Sequence, residues 1–233
     1  AYFLHRRYTF KNYQKIGVAI HLNQSNSISD IYSKVKNFTD FIHIDLIDET
    51  YNSENISVDI EILNKIRELW PQKKLQIHLM SKNPSLWINQ LPKSRNTEVF
   101  FHYDENVDIE QTSSLILSKN FIPGVVLHNQ ISESQIIELM NSFSNFMVLC
   151  VDKAGFSGQV FQNKYSDLIN ELIKVTEQLN DVKITLDGGI TPKIASKFNV
   201  QEVVSASSIL NDEDSKKQII NFQTSQKYED SEK

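Results

Sequence analysis

Short apolar runs rich in β-branched residues recur along the chain. They are IGVAIHL (16–22), FIHIDLI (41–47), LQIHLM (75–80), EVFFHY (98–103), PGVVLHN (123–129), FMVLCVD (146–152), KITLDGG (183–189) and EVVSAS (202–207). These read as strands, and the stretches between them carry apolar residues at helical spacing. In DIEILNKIREL (59–69) the adjacent pair Ile62 and Leu63 breaks a strict alternation. Ile60, Leu63, Ile66 and Leu69 fall near one helical face instead, so the segment predicts an amphipathic helix. SESQIIELMNSF (132–143), SDLINELIKVTEQL (166–179) and TPKIASKF (191–198) predict three more. Ser132 and Thr191 suit N-caps, the latter with Pro192 at the first helical position. KKQIINF (216–222) predicts a weak last helix, and the polar end from Gln223 a frayed tail.

Strands that alternate with helices over 233 residues predict an α/β fold, a single-domain (β/α)8 TIM barrel. Such barrels run to about 250 residues, with about 200 as a lower bound. A doubly wound sheet is the alternative, but it favours a glycine-rich first turn, and HLNQSNS (21–27) has no glycine. No internal repeat appears beyond the βα rhythm. The expected organisation is an N-terminal extension or linker over 1–15, a barrel over 16–222 and a polar tail over 223–233. The chain begins at Ala1 rather than Met. Two readings are expected from this: a trimmed chain, or a piece of a longer polypeptide that continues upstream into another domain.

Composition narrows the function. Residues are 40% hydrophobic and 23% charged, enough for a full core. The longest apolar runs, such as Phe146 to Val151, are too short to cross a bilayer, so no membrane is expected. A net charge of −5 without a dense Lys/Arg block argues against nucleic acid. The one cysteine, Cys150, permits no internal disulfide and favours the cytoplasm.

In a barrel of this kind, functional groups sit at the carboxyl ends of strands. His43 and Asp45, two apart in HIDLID (43–48), leave the same face of a strand. His78 closes the third strand and Asp187 the seventh. Singly, each has an ordinary explanation, as a hydrogen-bonded strand histidine or a capping aspartate. Together at one rim they make a divalent metal site, since imidazole and carboxylate suit Zn, Fe and Mn. His102 reads as structural or supporting, His21 and His128 as weaker candidates, and His5 lies in the leading segment. Glycine is scarce, six in all, and four form two clusters: Gly155 with Gly158, and Gly188 with Gly189. AGFSGQ (154–159), DGGI (187–190) and SASS (205–208) follow the last three strands, where such barrels often hold phosphate on backbone N–H groups.

IGVAIH, HIDLID, IHLM followed by Asn83 and Pro84, AGFSGQ, LDGGI and VSASSI stand in the order and near the spacing of ribulose-phosphate 3-epimerases. Over residues 16–212 the chain resembles that family, whose fold is a (β/α)8 barrel. The resemblance implies one divalent ion (Zn, Fe, Mn or Co) held by His43, Asp45, His78 and Asp187, with Asp45 and Asp187 as the proton-transfer pair. It also implies a small phosphorylated sugar held by His78, Gly155, Phe156, Ser157, Gly158, Gly188, Gly189, Ala206 and Ser207. A cytoplasmic homo-oligomer is expected. The chemistry needs these parts: a base on one face of C3, an acid on the other, and a Lewis acid for the enediolate.

The departures from the family are several. Ala19 stands at the usual first-strand serine, Ile47 at a methionine, Glu49 at a glycine, and Cys150 at a second methionine, while Met80 remains. Ser157 and Ala206 each replace a glycine. The expected activity is conversion of D-ribulose 5-phosphate to D-xylulose 5-phosphate. The alternatives are another ketose phosphate, including one destined for polysaccharide precursors, and a non-catalytic barrel used for binding or assembly.

Overall fold

In the computed structural model, the described residues are 13–22, 28–54, 57–177, 179 and 181–225. Most of the expected extension (1–15), most of the first turn (21–27), His5 and most of the tail (223–233) lie outside them. Eight strands pair in parallel and in chain order: β1 (Lys15–His21), β2 (Phe41–Ile47), β3 (Lys74–Met80), β4 (Thr97–His102), β5 (Ile122–Leu127), β6 (Asn145–Leu149), β7 (Lys183–Asp187) and β8 (Glu202–Ser205). β1 also pairs with β8, Gly17 opposite Val204, and this closes the barrel. The helices are α1 (Ile28–Val35), α2 (Ile62–Leu69), α3 (Pro84–Gln90), α4 (Ile109–Ser118), α5 (Glu133–Leu139), α6 (Ser166–Thr176), α7 (Pro192–Ala195), α8 (Ser207–Leu210) and α9 (Ser215–Gln223). The fold is the single (β/α)8 barrel expected.

The strands read as near-continuous apolar runs because both of their faces are covered. All seven residues of β2 are buried. Ile42, Ile44 and Leu46 join the large cluster beneath the helices, while Phe41 joins a smaller cluster with Ala19 and Val204 inside the barrel. Burying each such aliphatic side chain contributes about 1.5–3 kcal/mol. Two glycines outside the functional clusters make room within the barrel: a Cβ at Gly17 would strike the Phe41 ring, and one at Gly124 the Phe100 ring.

Both expected caps form. Ser132 and Gln135 make a reciprocal capping box on α5, and Thr191 accepts from Ile194 N–H with Pro192 opening α7. α2 starts three residues later than the apolar pattern suggests, because Asp59–Glu61 lead in through turns. Below the mouth the barrel is polar. Lys74 bridges Glu98 at 3.1 Å and Glu202 at 2.5 Å, and Lys183 bridges Glu98.

Candidate metal centre and active site

The period-2 alternation that turns Ile42 and Ile44 toward the helices turns His43 and Asp45 into the barrel. Strand register then gathers the rest: Asp45 lies opposite His78 on β3, and Asp187 ends β7. His43 Nε2 is 3.1 Å from Asp45 Oδ1 and 3.4 Å from Asp187 Oδ2. His78 Nδ1 is 3.1 Å and 3.3 Å from the same two oxygens. All four side chains are buried, and their ligand atoms lie within 4.8 Å of one another.

The far nitrogens orient the rings. His43 Nδ1 meets Gln76 Oε1 at 2.7 Å, and an amide oxygen only accepts, so Nδ1 carries the proton. That leaves Nε2 to face the carboxylates. His78 Nε2 meets His102 Nε2 at 2.9 Å, which leaves Nδ1 facing inward. His78 Nδ1 is buried and makes no hydrogen bond, although two carboxylate oxygens stand within reach. A buried nitrogen without a hydrogen bond costs free energy, and a cation between it and the carboxylates would remove that cost. Two imidazoles and two carboxylates, with the far nitrogen of each ring already engaged, fit a divalent ion.

The electrostatics agree. Burial disfavours a charged His43, but the Asp45 and Asp187 carboxylates outweigh it and hold the ring well above the usual histidine range. His78 is raised against the same burial by the same carboxylates. Asp45 is held well below the ordinary carboxylate range, since His43 and His21 more than offset its desolvation. Asp187 is lowered by His43 and His78 against burial and repulsion from Asp45. His102 is pushed well down by burial and by His78 and His128, so it is a neutral acceptor for His78 Nε2–H.

Above this nest opens a cavity of about 410 Å³ with Asp45 and Asp187 in its lining. Gly155, Phe156, Ser157, Gly158, Gly188, Gly189, Ala206 and Ser207 all line it too. His43 and His78 are wholly buried and do not. No lysine or arginine lines the cavity among the described residues, so an anion there meets backbone N–H groups and hydroxyls. Gly189 has φ +68, and a Cβ would collide with Phe161 N, so this turn requires glycine. Gln159 folds the AGFSGQ loop back on itself, donating to Lys153 O and to Phe156 O, each at 2.7 Å. Ala19, Ile47 and Met80 reach the wall. Cys150 does not: it faces the helix-side core, and Leu149 takes the cavity position.

A sequence model of the ribulose-phosphate 3 epimerase family matches residues 15–210. The chain belongs to this family. Among relatives named ribulose-phosphate 3-epimerase, a carbohydrate isomerase, that of Aquifex aeolicus is 28% identical over 177 residues, 76% of each chain. The rice enzyme, named as a cytoplasmic isoform, is 26% identical over 73% of this chain and 75% of its own. The fold also matches KGPDC from Streptococcus mutans, with a TM-score of 0.63 at 15% identity over 92% of this chain and 98% of that one. No helix among the described residues is long and apolar enough to cross a membrane.

Three residues of this epimerase-family site were missed or underweighted in the sequence. His21 lies opposite Asp45 in register, with its Nδ1 3.2 Å from Asp45 Oδ2. Gln76 holds His43, and His102 holds His78. Each has the inward parity of its own strand, and Gln76 shares its strand with the ligand candidate His78. That signal is in the sequence, but it becomes usable only once neighbouring strands are in register.

Proposed function

We propose that the chain is a metal-dependent 3-epimerase of a phosphorylated ketose, with D-ribulose 5-phosphate and D-xylulose 5-phosphate as its substrate pair. The observation that carries this reading is the placement of Asp45 and Asp187. They stand on β2 and β7, both at the cavity and both against the same two imidazoles. Epimerisation removes a proton beside a carbonyl and returns one to the opposite face, which takes two positioned carboxylates. One takes the proton from C3 as base, the other delivers one to the opposite face, and the roles exchange with direction. His43, Asp45, His78 and Asp187 would hold the ion. When bound, it supplies Lewis-acid stabilisation of the negative charge that develops as the proton leaves.

The remote end of the sugar is held by the turns after β6, β7 and β8, around Gly155–Gly158, Gly188–Gly189 and Ala206–Ser207. Binding energy there fixes C3 between the carboxylates. The names of the curated relatives support ribulose phosphate as the sugar. The barrel of residues 16–222 is the catalytic unit. A single, buried cysteine and the rice isoform's name support a cytoplasmic setting.

The test is NMR-detected deuterium exchange at C3 across a panel of ketose phosphates and the free ketoses, alongside elemental analysis of the purified protein. Exchange on pentulose 5-phosphates with about one divalent ion per chain is expected. A metal-free protein that exchanges none of the sugars would make the chain a non-catalytic barrel. Equal exchange on free and phosphorylated ketose would move it to the free sugars.

A further inference from the structure

His21 ends β1 with the same inward parity as Ala19, faces Asp45 across the β1–β2 register and lines the cavity. Its Nδ1 lies 3.2 Å from Asp45 Oδ2, whereas Asp45 Oδ1 lies 3.1 Å from both His43 Nε2 and His78 Nδ1. The two oxygens of this carboxylate thus have separate partners. Among the described imidazoles Asp187 meets only His43 and His78, both through Oδ2. The carboxylates are therefore inequivalent, and His21 is the difference.

We propose that His21 is a positioning residue for Asp45, holding Oδ2 toward the cavity as the oxygen that exchanges a proton with C3, while Oδ1 stays with the metal-facing imidazoles. This rests on the epimerase reading above. The contact is a close approach of a ring nitrogen to a carboxylate oxygen, without the alignment of a hydrogen bond. The ring edge against Oδ2 restricts the carboxylate's rotation about its terminal torsion, which is broad and nearly two-fold when unconstrained. Misplacing a reacting oxygen by about 1 Å can cost about 100-fold in rate.

His21→Leu keeps the bulk and removes the ring nitrogen. His21→Asn keeps a polar nitrogen there, because its amide nitrogen stands as many bonds from Cα as Nδ1 does. His21→Gln places that nitrogen one bond too far and serves as the second negative variant should the leucine protein not fold. The full-length, metal-loaded protein and its variants would be compared for metal content, kcat and KM, and for C3 deuterium wash-in in D2O starting from each epimer. His21→Leu is expected to keep its metal and a KM within about twofold of wild type while kcat falls about 10- to 100-fold, and His21→Asn to recover most of the loss.

The equilibrium constant forces forward and reverse kcat/KM to fall together, so the exchange pattern is the discriminating readout. With Asp45 slowed, the epimer whose C3 proton faces Asp187 returns to substrate more often. It takes up more deuterium per turnover, and the other epimer does not. A merely structural loosening would change both alike. Wild-type kcat in His21→Leu, symmetric wash-in, or loss of metal with loss of rate would each overturn the assignment. A wild-type protein that exchanges no sugar phosphate sinks the epimerase reading and this proposal with it. An active wild type with unaltered variants sinks the proposal alone.

Discussion

His43 is aimed by its far nitrogen: with Nδ1 committed to Gln76 Oε1, only Nε2 is left for the carboxylates. Gln76 is itself held by Glu98, Thr185 and Glu202, so the aim of a ligand is set from the barrel floor. Removing such a support typically weakens metal binding by about 10–100-fold. Gln76→Leu should therefore lower affinity by roughly that factor while His78→Ala loses occupancy outright, and competition titration against a chelator of known affinity would show both. Full metal content in His78→Ala would move the site elsewhere. The proton-transfer pair is tested separately. Asp45→Asn and Asp187→Asn replace a proton-exchanging carboxylate by an amide, and each should lower epimerisation by about a thousandfold or more in a barrel that still melts cooperatively. Wild-type-like turnover by either would refute the two-carboxylate assignment.

At the scale of elements, the three turns after β6, β7 and β8 carry the expected glycines, but the structure separates their roles. Gly188 has φ +99, and a Cβ there would lie 2.7 Å from Val151 Cγ1. Gly158 has φ +74 and open space around it. Gly158→Ala should then cost only the left-handed backbone strain, about 1–2 kcal/mol. Gly188→Val adds a collision and a distorted turn, so it should raise KM for the phosphorylated ketose and also lower the melting temperature. For Gly188→Val a melting temperature equal to wild type would show that the turn relaxes freely.

Much of this arrangement was legible in the chain. β2 falls on the apolar run 41–47 residue for residue, because a strand buried on both faces leaves an uninterrupted signal. α7 did not reach its expected end at Phe198: regular helix stops at Ala195, and the last carbonyls close on shorter turns. His43 with Asp45 was visible from spacing alone. His21, Gln76 and His102 were not, since their roles depend on which residue of the next strand lies opposite, and no single strand carries that information.

For the whole molecule, the barrel closes around two polar layers, and the upper one brings two carboxylates and two imidazoles together without exposure. In the metal-free protein a proton on His43 offsets the carboxylate charge. Burial disfavours that proton, but Asp45 and Asp187 raise the ring well above the ordinary histidine range. A folded-state pKa above the unfolded one gives a contribution that is full below about pH 6.5 and is lost as pH rises through the raised value. The stripped protein should therefore weaken from near-neutral toward alkaline pH. The depressed carboxylates add no slope there, because their contribution is lost only as pH falls through values below 3.8. A divalent ion takes the place of the His43 proton and needs both rings neutral, so its binding strengthens over the same range. At 100 times its dissociation constant it adds about 2.7 kcal/mol. At about 2–4 °C per kcal/mol for a chain of this size, that is roughly 5–10 °C in melting temperature. The melting-temperature gap between metal-loaded and chelator-stripped protein should widen from about pH 6 to about pH 8, read by differential scanning calorimetry at fixed free metal. A gap that stays flat or narrows would mean that no histidine proton is displaced, and His43 and His78 would not be ligands.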